Sequence, residues 1–207
     1  MSETVDQGTG VITGASSGIG AVYADRMARR GYDLILVARN QGRLTALAER
    51  LIGATGRRVE TLAGDLTVKA DLARVEERLR TDAGITLLVN NAGVGATKPL
   101  LRSDVDKMAE MISLNITAVT RLAYAAAPGF VARGAGTLIN IVNFSLAAEA
   151  SLQRRYFSIV LGSRHRSAAV HLATSRCCRL SLAPVGLAGT SLLRADHSGI
   201  GRLSIRR

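Results

Sequence analysis

Between residues 11 and 142, short apolar runs and longer amphipathic stretches alternate without a break. Runs at 11–13, 34–38, 58–62, 86–89 and 137–142 read as strands. The stretches at 19–30, 43–51, 72–79 and 104–126 carry apolar residues at helical spacing. Strand after helix after strand at these lengths means βαβ units, and βαβ units make a parallel sheet. Leu34-Ile35-Leu36-Val37-Ala38 is apolar at every position, as a strand covered by helices on both faces should be. Gly31 and Gly53 stand where the first two helices should end, Asp71 suits the start of the third, and Pro128 marks the end of the fourth. The fold class expected is α/β, a doubly wound parallel sheet.

The first strand runs directly into Gly14-Ala15-Ser16-Ser17-Gly18-Ile19-Gly20, which opens the first helix. Glycines permit a tight turn and let backbone approach a ligand closely. A helix start adds free N–H groups and a partial positive charge, so the combination suits a pyrophosphate. A glycine-rich loop is weak evidence alone, but here it has the strand-turn-helix context the chemistry requires. The end of the second strand bears on the nucleotide. An acid there binds the ribose 2′-hydroxyl of NAD, whereas a 2′-phosphate calls for arginine. Ala38-Arg39 holds that place, and the planar fork of Arg39 can pair with phosphate or stack on adenine. NADP is therefore expected over NAD.

Taken together, these residues resemble the short-chain dehydrogenase/reductase superfamily, single-domain NADP type. Thr13 to Gly20 is similar to its TGxxxGxG motif and Asn90-Asn91-Ala92-Gly93 to its NNAG motif. Asp65, in Gly64-Asp65-Leu66, resembles the acid that contacts adenine, and Asn115, in Ser113-Leu114-Asn115, resembles the active-site asparagine. The motifs occur in family order and spacing over residues 9–142. The resemblance implies a Rossmann-like domain over residues 1–207. It places the cofactor against Gly14, Ser16, Ser17, Gly18, Ile19, Gly20, Arg39, Asp65, Leu66, Asn91, Ala92 and Gly93. It implies hydride transfer on an alcohol/carbonyl pair, with Asn115, Asn143 and Tyr156 as the catalytic candidates.

The catalytic pattern departs from the family. Its serine position holds Asn143, whose amide can donate to a substrate oxygen. Ser145 lies two residues on, about 6.5–7 Å along a strand. Tyr156 stands 13 residues beyond Asn143, at the family's offset for the proton-transferring tyrosine. The lysine expected four residues later is Val160, which supplies neither charge nor hydrogen bond. With Tyr156 on a helix, Arg155 points about 100° away and Arg164 lies about 12 Å along the axis. Without a nearby cation a tyrosine keeps a pKa near the reference value of about 10. The rival reading is a nucleotide-binding protein with little or no turnover.

Composition changes near residue 150. Residues 1–150 hold 17 Lys and Arg against 15 Asp and Glu; residues 151–207 hold 10 Arg, no Lys and one acid, Asp196. Helical and strand periodicity fade there, with 158–161 and 168–173 as short candidate elements. Ala183-Pro184-Val185-Gly186 is a faint echo of the family's Pro-Gly. Three readings stay open for this Arg-rich segment: a frameshifted or altered end of a dehydrogenase gene, a basic extension for anionic partners, or a solvated structural part. Scattered arginines without a recognition motif argue against nucleic acid. Vicinal Cys177-Cys178, with His165 and His171, lack a nearby carboxylate, so no metal is expected. The polar start and the absence of a long apolar run lead us to expect a soluble, cytoplasmic protein without membrane contact. The expected partner is a small-molecule alcohol or carbonyl. Homo-oligomers form in many relatives through the long helices, but the altered final third argues against one here.

Overall fold

The structure is a computed structural model that describes residues 6–95, 102–144, 155–164 and 168–175. Strands β1 (Thr9–Thr13), β2 (Asp33–Ala38), β3 (Val59–Ala63), β4 (Ile85–Asn90) and β5 (Ala135–Phe144) alternate with helices α1 (Gly18–Arg29), α2 (Gln41–Thr55), α3 (Lys69–Thr81), α4 (Val105–Ile112) and α5 (Val119–Ala132). The sheet order is β3-β2-β1-β4-β5, and every pairing among these five is parallel. The order reverses between β1 and β4. Loops at the carboxyl ends of these two strands diverge there and open the crevice in which such sheets bind ligands.

Strand periodicity divides the core into two layers. Ile12, Leu34, Leu36, Leu87 and Val89 face α1 and α2, meeting Tyr23, Met27, Leu44, Leu47 and Leu51. Their chain neighbours Val11, Ile35, Val37 and Leu88 point the other way, onto Leu72, Val75 and Leu79 of α3 and Leu122, Ala126 and Phe130 of α5. A fully buried aliphatic side chain contributes about 1.5–3 kcal/mol, so these layers hold the strand ends rigidly enough to carry a site.

Two helix ends differ from the sequence expectation. Gly53 does not close α2. The helix continues to Thr55, and Gly56 ends it at φ 67°, with its N–H bonded to Ile52 O. Thr55 Oγ1 donates to Leu51 O at 2.7 Å and the left-handed Gly56 caps the last turn, which carries the helix through an exposed glycine that costs about 1 kcal/mol against alanine. Pro128 does not end α5 either. The helix runs on to Ala132 because Phe130 is buried and Arg133 lies over its ring at 5.6 Å, donating to Ile85 O at 2.7 Å. The long helical pattern is also divided by a π-helical turn, Ser113–Ala118, between α4 and α5.

The sheet becomes mixed beyond β5. Strands β6 (Arg155–Arg164) and β7 (Ala168–Ser175) add to its edge in antiparallel register and contain both short candidate elements. Tyr156 therefore lies on a strand, not on a helix. Its run of Tyr, Phe, Ile and Val favours extended backbone. Ser145, His165, Cys177-Cys178, 183–186 and Asp196 lie outside the described residues. No described helix is long and apolar enough to cross a membrane, and no metal-binding cluster occurs among the described residues.

Candidate functional site

Thr13 and Asn91 hold the glycine turn against the end of β4. Thr13 Oγ1 donates to Val89 O and accepts from the N–H groups of Asn91 and Ala92, both at 3.0 Å. Asn91 Nδ2 donates to Thr13 O and Gly14 O, each at 3.1 Å. Ala15 N–H reaches Val37 O, so the turn is tied to β2 as well. Space here requires glycine. A Cβ on Gly14 would lie 2.8 Å from Ala92 Cα, at a φ of +65°; one on Gly20 would lie 2.3 Å from Gly14 O.

The turn leaves donors free on its outer side. Ser17 flanks α1 without a side-chain cap, and the first turn of α1 carries no acid. The amide groups there consequently lack the usual internal acceptors. Gly18, at φ +56°, has nothing within 4 Å of a would-be Cβ. Crowding behind the turn and open space before it fit the phosphates of a dinucleotide.

A cavity of about 610 Å³ extends from this turn over the ends of β2 and β3. Ser16 and Ser17 form one wall, Asn91, Ala92 and Gly93 another, and Arg39, Asp65 and Leu66 the far end. Asp65 accepts from Thr67 N–H at 2.9 Å and Thr67 Oγ1–H at 2.7 Å, with Arg39 Nη1 at 3.7 Å. Burial is the largest influence on its carboxyl and disfavours charge. The Thr67 bonds and the Arg39 guanidinium outweigh it, so Asp65 titrates below the usual range and faces the cavity as an anion. Asp71 Oδ2 accepts from Asp65 N–H at 2.8 Å and fixes this loop from α3.

Asn115 lies in the π-helical turn at the other end. Its Oδ1 accepts from Val94 N–H at 3.0 Å and its Nδ2 donates to Val94 O at 2.8 Å, a two-point hold on the loop after β4. Asn90 joins the same region to the sheet, donating to Asn140 Oδ1 at 3.0 Å. The chain thus places Asn115 beside Gly93 at one margin of the crevice and Arg39 at the other. A family profile described as short chain dehydrogenase matches residues 9–156.

The chain belongs to the short-chain dehydrogenase family.

Individual relatives agree. An uncharacterized oxidoreductase of Staphylococcus saprophyticus is 34% identical over 136 residues, covering 65% of this chain and 58% of the relative. Among solved structures, a short-chain dehydrogenase from Sphingobium yanoikuyae in complex with NADPH is 54% identical, with a TM-score of 0.63, over 64% of this chain and 52% of that one. A bulky-bulky ketone specific alcohol dehydrogenase from Comamonas testosteroni is 45% identical, with a TM-score of 0.64, over 66% and 55%. The chain spans little more than half the length of these family members.

Of the candidate cofactor residues, Gly14, Ser16, Ser17, Arg39, Asp65, Leu66, Asn91, Ala92 and Gly93 line one cavity, whereas Gly18, Ile19 and Gly20 open α1 and are not among its lining residues. The described structure does not assemble the catalytic candidates in the way a helical tyrosine segment would. Asn143 and Tyr156 are register partners across the β5–β6 ladder, while Val160 pairs with Ile139. Four residues on a strand span about 13 Å, against about 6 Å on a helix. Position 160 is therefore remote from position 156, whatever side chain it carries. Sequence reading also missed Arg43 and Asn40, which line the cavity. Asn40 caps α2 by accepting from Arg43 N–H at 2.9 Å, and an asparagine just before an amphipathic stretch was the available signal.

Proposed function

We propose that the chain acts, as one dinucleotide-binding domain, in the NADP(H)-dependent interconversion of an alcohol and a carbonyl. The observation that carries the cofactor is Arg39 at the rim of a cavity that begins at a crowded glycine turn. The NADPH complex of the Sphingobium relative supports the same choice. The family supports the reaction class, and the ketone-specific Comamonas relative gives one instance of it.

The roles of individual residues follow from their chemistry. Gly14, Ser16, Ser17, Gly18, Ile19 and Gly20 would hold the pyrophosphate through backbone N–H groups and the start of α1. Arg39 would meet the 2′-phosphate, Asp65 and Leu66 the adenine, and Asn91, Ala92 and Gly93 the nicotinamide half. The bound nicotinamide supplies or accepts the hydride. Asn143 is suited to donate a hydrogen bond to the substrate oxygen, and Tyr156 to carry a proton. Asn115 holds the loop on which the nicotinamide half would rest.

A second reading is binding without turnover. Val160 at the lysine position favours it, since valine offers neither charge nor hydrogen bond, and on the strand position 160 lies about 13 Å from position 156. One paired experiment decides. NADPH fluorescence enhancement on titration with protein measures the cradle, and NADPH consumption with a panel of aldehydes and ketones measures the reaction. Saturable binding with turnover supports the enzyme. Saturable binding with no consumption on any carbonyl leaves the second reading, and absence of binding refutes both.

A further inference from the structure

Two arginines, not one, line the cavity. Arg39 follows β2, and Arg43 stands in the first turn of α2. Arg43 is exposed, and no carboxylate among the described residues lies within ion-pair distance of it. Its position is electrostatically adverse. The amino-terminal end of a helix carries partial positive charge and favours acids, yet the first turn of α2 has none. The Asn40 cap fixes this turn next to Arg39. Asp65 is the one carboxylate among the described lining residues, and Thr67 and Arg39 already engage it. The charge of Arg39 is thus partly balanced within the protein, and that of Arg43 is not.

We propose that Arg43 is a second arm of an anion clamp with Arg39, and that its ligand is a dianionic phosphate monoester on the ribose of the nucleotide. The inference rests on the NADP(H) reading above but is not contained in it, because that reading needs Arg39 alone. A phosphate monoester carries close to two negative charges at neutral pH. One guanidinium already shared with Asp65 leaves most of that charge unbalanced. A second guanidinium at the same cavity, four residues on in the chain, supplies the remainder and discriminates a phosphate from a hydroxyl at the same ribose carbon.

The test titrates wild-type protein, R39Q, R43Q and R43K with NADPH and with NADH, by fluorescence, at low and moderate salt. Competition by 2′,5′-ADP and by 5′-ADP separates the ribose monoester from the pyrophosphate. R43Q should raise the NADPH Kd about tenfold, equivalent to about 1.4 kcal/mol. It should leave the NADH Kd within about twofold and weaken 2′,5′-ADP but not 5′-ADP. R43K should recover only part of the loss, since a point charge lacks the planar fork. A melting temperature equal to or above wild type for R43Q is expected, because a cation leaves the amino-terminal end of α2. An unchanged NADPH-to-NADH preference in R43Q, beside a collapsed preference in R39Q, overturns the clamp and leaves the NADP(H) reading standing. Equal weakening of both dinucleotides also overturns it, as a general effect of charge. Wild-type protein that binds NADPH no tighter than NADH removes the cofactor reading, and the clamp with it.

Discussion

Replacing Gly20 with alanine tests the cradle most directly. The added Cβ would lie 2.3 Å from Gly14 O and 2.5 Å from Asn91 Nδ2. Both distances fall more than about 1 Å short of ordinary contact. Neither neighbour can yield cheaply. Gly14 O is backbone in a turn held by Thr13 and β4, and Asn91 Nδ2 is committed to two carbonyls. Overpacking of this kind costs about 1–3 kcal/mol, offset by about 0.5–1 kcal/mol from replacing a helical glycine. A net loss of about 1–2 kcal/mol should lower Tm by about 2–8 °C. The larger effect is on the ligand. A turn displaced by about 1 Å misaims the N–H groups that meet the pyrophosphate, and the NADPH Kd should rise at least about tenfold. Differential scanning fluorimetry and a fluorescence titration on the same preparations read both quantities. A Gly20→Ala protein that melts with wild type and binds NADPH equally well would falsify the assignment of this turn as a crowded phosphate cradle.

Gly53→Ala is the converse case. Gly53 is exposed inside α2 with nothing within 4 Å of its would-be Cβ, so alanine should raise stability by about 0.5–1 kcal/mol. A lower Tm would contradict the placement of this residue in the helix interior. Glu76 is 3% exposed and takes bonds from Arg121 and Arg80. Both arginines are about half exposed, so Glu76→Gln should destabilise by about 1–2 kcal/mol, less than for a fully buried pair; urea melts check it, and an unchanged midpoint would dismiss the α3–α5 clamp. Asp33, Asp65 and Glu76 should give the fold its acid limit. For each, burial is the largest influence and opposes charge, but hydrogen bonds and arginines outweigh it and lower the folded pKa. The unfolded chain then takes up protons first as pH falls. Stability is full above the ordinary carboxylate range near 4 and declines as pH drops through the lower folded values. A Tm that stays level from pH 6 down to 3 would contradict these shifts.

Much of the candidate site could be read in the chain because its residues are adjacent in sequence. Gly14 to Gly20 form one turn, and Asn90 to Gly93 follow one strand, so local spacing places each group. Helix limits were less legible. Gly53 and Pro128 are strong local signals, yet the Thr55 bond and Gly56 cap that close α2 override the first, and the burial of Phe130 overrides the second. The π-helical turn that presents Asn115 had no sequence signature, since it depends on how α4 and α5 meet the loop at Val94. Arg43 escaped notice because an arginine on an exposed helical turn is ordinary until the cavity beside it is known.

The sequence by itself determined the α/β alternation, the family motifs and the arginine at the end of β2. These depend on periodicity and on groups a few residues apart, which the chain cannot rearrange. Only the tertiary structure decided which distant residues share a charge balance. It set Asp65 against Arg39, brought Arg43 to the same rim, and paired Tyr156 with Asn143 across a ladder. The physical reason is that strand order, not chain order, selects neighbours. The reversal between β1 and β4 opens the crevice into which the separate loops converge.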